Sequence, residues 1–366
     1  METRRSSGCR TGGFHHRWLS PFPAVLLVIG ARRGAVLVGT MLFGTVLLGA
    51  APFGTVLVDA GGSGDAGAST TATGQAGAGG SGGGQTGTPT ATASQYENDA
   101  SPAALYAQGE AAGSAGAQGM VILDFGRPAA ETTLGTITQD DTFASFPSIA
   151  AAVESYVAGY FRTAPAALRL HVAIGTNDSC GTGQPCGSVV CGCAFEPPSF
   201  RTWGATLAST VESVQAWATR TKQQSSFTDT VTVVAGDDVE PAFDPGYLNT
   251  YNVLAGYAAE VGGYQPAMVD YGSAEPGYWT SAQLLQVADG FRPDVVFPEV
   301  YFPTHVTEWA SLIGYAKAHG QNVTIFGVLT QAPDGQTSAT SYASIERAIA
   351  PITGQSSIQW ASNIGP

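Results

Sequence analysis

From Met120 onward the chain repeats one pattern: a short, nearly continuous apolar run ending in polar or acidic residues, then a longer stretch with apolar positions three and four apart. The runs are MVILDFG (120–126), LRLHVAIGTND (168–178), VTVVAGDDVE (231–240), PAMVDYGS (266–273), DVVFPEVYF (294–302), NVTIFGVLT (322–330) and SIQWASN (357–363). Between them lie stretches such as PSIAAAVESYVAGYFR, TWGATLASTVESVQAWATRTK and THVTEWASLIGYAKAHG, with Gly or Pro at their ends. The runs have the length of strands buried on both faces, and the intervening stretches have the period of amphipathic helices. Buried strands alternating with helices specify a parallel sheet covered by helices. The expectation is an α/β fold, a TIM-type (β/α) barrel over 119–366, with an open doubly wound sheet as the second choice. Seven strands are clear, and LGTIT (134–138) is the candidate for an eighth. Gly126-Arg127-Pro128 follows the first run in place of a Gly-rich dinucleotide fingerprint, so no cofactor is expected.

The region before Met120 has a different character. Residues 34–58 carry no charge and follow Arg32-Arg33, so residues 1–58 read as a basic leader with a signal or transmembrane segment. The basic side precedes the span, which places the remainder outside the cytoplasm, secreted or tethered to the membrane. Residues 59–118 are rich in Gly, Ser, Thr and Ala and read as a disordered linker. The whole chain carries a formal charge of −13, and after Val58 nine basic residues face 27 acidic ones. That balance excludes a general nucleic-acid partner.

In barrels of this kind the working face lies at the C-terminal ends of the strands. The runs end in Asp124, Asp178, Asp237, Asp238, Glu240, Asp270 and Glu299. Strand alternation puts Asp238 and Glu240 on one face, roughly 6–7 Å apart at the backbone, with Asp237 on the other. Glycosidic cleavage needs such a group: one carboxyl donates a proton while another attacks, stabilises the developing cation or activates water. Repulsion between neighbours keeps a proton on one of them. The candidate catalytic residues are Glu240, Asp238 and Asp124, and the candidate substrate contacts are Glu299, Tyr301, Asp270, Tyr271 and Trp360. A calcium or magnesium site would use the same oxygens; no metal site is assigned. No GxSxG occurs, and His171, His305 and His319 lack zinc-motif spacing, which disfavours serine hydrolases and zinc proteases.

The order of Asp124 on the first clear strand, followed by Asp238-Val239-Glu240 on the third, resembles the barrel muramidases of glycoside hydrolase family 25. The aromatic strand around Trp360 adds to the likeness. The resemblance implies a general acid at Glu240, with Asp238 and Asp124 positioning substrate and stabilising charge. The chain departs from that family where Phe125-Gly126-Arg127 follow Asp124 in place of the usual continuation. The Asp-x-Glu ending is also similar to the chitinase family, although Val233 and Gly236 stand where that motif has aspartates.

Cys180, Cys186, Cys191 and Cys193 fall in one Gly-rich loop after the second run. An even number in an exported domain points to two disulfides, with metal ligation as the alternative; of three possible pairings, links from Cys180 and Cys186 to Cys191 and Cys193 avoid a very tight ring. The functional expectation is an exported glycoside hydrolase acting on polysaccharide or peptidoglycan, with the membrane a partner through the N-terminal segment. The alternative is a non-catalytic glycan- or protein-binding surface domain on the same barrel.

Overall fold

The structure is a computed structural model and describes residues 89–177, 190–191, 197–225, 227–242, 246–261, 267–291, 294–355 and 357–365. Eight parallel strands form one sheet: β1 (Thr92–Tyr96), β2 (Gly119–Asp124), β6 (Arg169–Asn177), β8 (Thr230–Asp238), β9 (Met268–Asp270), β10 (Asp294–Val296), β11 (Gly327–Thr330) and β12 (Trp360–Gly365). β1 pairs in parallel with both β2 and β12. The two ends of the sheet meet through bridges Val296↔Ile325 and Glu299↔Leu329, which nearly close it into a barrel. Helices α1 (Pro102–Ser114), α2 (Phe146–Thr163), α3 (Pro197–Ser225), α4 (Tyr247–Glu260), α5 (Ser281–Asp289), α6 (Pro303–Ala318) and α7 (Ser338–Thr353) alternate with the strands. This is the TIM-type architecture expected from the alternating pattern.

Two readings of the sequence change. The folded domain begins well before Gly119, because β1 and α1 both lie inside the stretch read as linker. LGTIT is not the missing barrel strand: β4 (Leu134–Ile137) belongs to a separate antiparallel sheet with β3 (Arg127–Ala130), β5 (Phe143–Ser145) and β7 (Val190–Cys191). β1 is the eighth strand. Asp124 therefore ends the second barrel strand and Asp238-Val239-Glu240 the fourth, which changes the strand order on which the family 25 resemblance was drawn.

Strand alternation divides the apolar side chains into two cores. Val121, Leu123, Val172, Ile174, Val233 and Ala235 face the helices, while Met120, Ile122, Ala173, Val234, Val269 and Phe297 fill the lumen. The upper lumen is filled by Tyr271, which is fully buried. A Cβ at Gly175 would stand 2.8 Å from its hydroxyl and one at Gly236 2.8 Å from its ring, so the two glycines make the space that this side chain occupies.

Helix ends follow local chemistry. Ser145 caps α2 by accepting from the Ser148 amide, Thr280 and Gln283 form a reciprocal capping box on α5, and Gly354 ends α7 in the left-handed region. Among the described residues no helix is long and apolar enough to cross a membrane. The apolar run 34–58 lies outside them, as do Cys180, Cys186, Cys193 and Asp178. Of the cysteine loop, the strand Val190–Cys191 is described, and it pairs with β3 beside the working face.

Candidate active site

The alternation that places Val234 in the lumen also turns Asp238, two pairs of residues further along β8, toward the lumen mouth, and Glu240 follows it on the same side. After β10, Phe297, Glu299 and Tyr301 share the inward parity. Carboxylate oxygens of Asp238, Glu240 and Glu299 all lie within 4.8 Å of one another. Asp238 and Glu299 are buried and Glu240 is half-buried.

Close packing of acids in a poorly hydrated mouth opposes ionisation. Burial, followed by the charges of Glu299, Glu275 and Asp124, pushes Glu240 up to about 8. Burial pushes Asp124, on β2, up to about 6 against the Gly126 amide, which donates to its Oδ1 at 2.6 Å. His305, in the first turn of α6, places Nδ1 3.2 Å from Glu299 Oε1. Burial disfavours its charged form, but hydrogen bonding to Glu299 and the charges of Glu299 and Glu308 outweigh that and raise it.

Three residues expected to contact substrate occupy other positions. Tyr271 lies beneath the carboxylates and donates to the Thr176 carbonyl at 2.9 Å, so it supports the site from inside the barrel. Asp270 alternates to the helix side; it accepts from the Gly272 amide at 3.2 Å, and burial pushes it up to about 7. Trp360 opens β12 at the opposite end of the barrel, where it packs on His171 with ring centroids 4.6 Å apart. Tyr301 does reach the mouth, and its hydroxyl lies 3.4 Å from that of Tyr96 on β1.

Tyr96, His305, Glu275 and Glu308 complete the site and were not selected from the sequence. A signal for Tyr96 existed, since TASQYEND ends in acids as the other strand runs do. Glu275, in the loop after β9, accepts from the Ala242 amide at 3.1 Å, which ties it to the chain just beyond Glu240. His305 is brought to Glu299 by the sharp entry into α6 at Pro303, a relation that strand periodicity does not reveal.

Such a site defines the class as an α/β barrel with a carboxylate cluster at the C-terminal mouth of its lumen. No protein-family model matches the chain, and no curated protein matches it.

Proposed function

We propose that this chain is a glycoside hydrolase of the retaining type. The observation that carries the reading is the convergence of Asp238, Glu240 and Glu299, with carboxylate oxygens within 4.8 Å, at the C-terminal mouth of the barrel. Retaining enzymes hold their two carboxyls about 5 Å apart, whereas inverting ones leave roughly 6.5–9.5 Å for a water. Burial and neighbouring anions keep a proton on Glu240 at neutral pH, as a general acid requires. Glu299, beside the imidazole of His305, is suited to the charged role.

In the first step the Glu240 proton passes to the glycosidic oxygen while a Glu299 oxygen bonds to the anomeric carbon and the bond to the leaving sugar breaks. In the second, Glu240 takes a proton from water, which attacks the anomeric carbon and releases Glu299. Asp238 shapes the field between them. Tyr301 and Tyr96 line the mouth, where aromatic faces suit sugar rings. The basic leader and apolar run support export, which would bring the site to polysaccharide or peptidoglycan outside the cytoplasm.

The test is reducing-sugar release by the full chain from peptidoglycan, chitin and other polysaccharides. Release from at least one of them is expected; a folded protein that releases none favours a non-catalytic binding domain.

A further inference from the structure

Hydrolysis of a glycosidic bond employs two carboxylates, yet the mouth of this barrel gathers more. Glu275 and Glu308 lie beside the catalytic cluster and are half-buried. Their fields overlap with it: Glu275 and Asp124 act on Glu240, and Glu308 and Glu299 act on Glu275. Among the described residues the imidazole of His305 is the cationic group in ion-pair contact with Glu299.

Asp124 is a separate observation. It is fully buried and faces the lumen from β2. Its Oδ1 takes the Gly126 amide, its Oδ2 takes no hydrogen bond among the described residues, and the nearby Tyr271 hydroxyl donates to Thr176. A buried carboxylate without a cation is costly, and in a poorly hydrated mouth its field acts over several ångströms. At the outer edge of the same mouth, on the loops after β9 and β10, Tyr278 and Phe302 expose 64% and 51% of their surface. Acids around a ledge that carries exposed rings form a surface for a sugar that is itself positively charged.

Resting on the hydrolase reading above, we infer that the substrate is a glycan with unacetylated amino sugars, whose ammonium groups enter the field of Asp124, Glu275 and Glu308. An anionic sugar would meet repulsion from the same groups. A neutral one would leave the excess negative charge of these acids over His305 unmatched.

The experiment assays the full chain on a panel of amine-bearing glycans, including chitosan, polygalactosamine and de-N-acetylated peptidoglycan. Each is tested before and after chemical N-acetylation, with chelator present. The expected result is a fall of at least tenfold in kcat/KM on acetylation of whichever glycan is cleaved, with the ratio shrinking severalfold in Glu275→Gln and in Asp124→Asn. Equal or faster cleavage after acetylation overturns the inference while leaving the hydrolase reading intact. A preference that disappears in chelator also overturns it, since a metal ion would then be the cation recognised. If the folded protein cleaves nothing, the hydrolase reading fails. Retention on immobilised chitosan or polygalactosamine, abolished by N-acetylation, would then still uphold amino-sugar recognition, and absence of retention would overturn that too.

Discussion

His305 Nδ1 lies 3.2 Å from Glu299 Oε1, joining the first turn of α6 to the loop that follows β10. The contact places a titratable cation against the carboxylate assigned the charged role. A close pair of opposite charges in a poorly hydrated site contributes about 1.5 kcal/mol. His305→Gln is therefore expected to lower kcat roughly tenfold with KM nearly unchanged. Steady-state kinetics check this, and an effect on KM alone would assign His305 to substrate binding.

In the proposed mechanism the proton on Glu240 sets the alkaline limb of activity. With Glu240 raised to about 8 by burial and by Glu299, Glu275 and Asp124, kcat/KM should hold through neutral pH and fall above about 8. Asp124→Asn removes one of those anions, so the limb should move to lower pH. A pH profile of both proteins decides the matter, and a limb that stays in place would separate Asp124 from the acid.

Stability should depend on pH in an unusual direction. Burial raises Asp124 to about 6, Glu97 and Asp270 to about 7, and Glu240 to about 8. Each group binds its proton more tightly when folded, so its contribution is fully present below the unfolded value near 4 and is lost as pH rises through the folded value. Thermal unfolding should show Tm highest near pH 4 and falling from there to about pH 8. Glu97→Gln, which keeps an acceptor for Gln108, should flatten that slope.

Because β1 joins β2 to β12, residues 119–366 alone should not close the barrel. Circular dichroism and solubility of fragments 119–366 and 89–366 provide the comparison. A cooperative transition in the second and none in the first is expected; equal folding of the two would contradict the placement of β1.

That boundary also shows what the sequence reveals and what it conceals. Five of the seven strand runs are legible because Val, Ile and Leu are frequent in them, and the runs 266–273 and 357–363 because apolar and aromatic residues cluster there. β1 is built from small and polar residues instead: Ser94 accepts from the Ile122 amide at 2.7 Å and meets Ser362 at 2.6 Å, and Thr92 bonds to both Ser362 and the Met120 carbonyl. The seam between β1, β2 and β12 is thus held by hydroxyls, which give no apolar run. α1 looks like linker for a related reason. Gly109 brings its backbone against α2, where a Cβ would stand 1.9 Å from the Tyr156 carbonyl oxygen, so small residues do the packing.

Within the site, period-two alternation correctly separates Asp238 and Glu240 from Asp237 and puts Tyr301 on the side of Glu299. It also places Asp270 away from the lumen when counted from Val269, a step that the acidic end of the run obscures. Trp360 stands at the opposite end of the barrel: the apolar run starts at Ser357, ahead of β12, so the strand's first residue falls in the middle of the run.

The most direct test of the central claim is the activity of Glu240→Gln beside the parent chain on a glycan that the parent cleaves. The account predicts loss of at least a hundredfold in kcat with no loss of thermal stability at pH 6, where the folded parent acid is protonated, and retention of anomeric configuration in the parent's product. Full activity in the variant would contradict it.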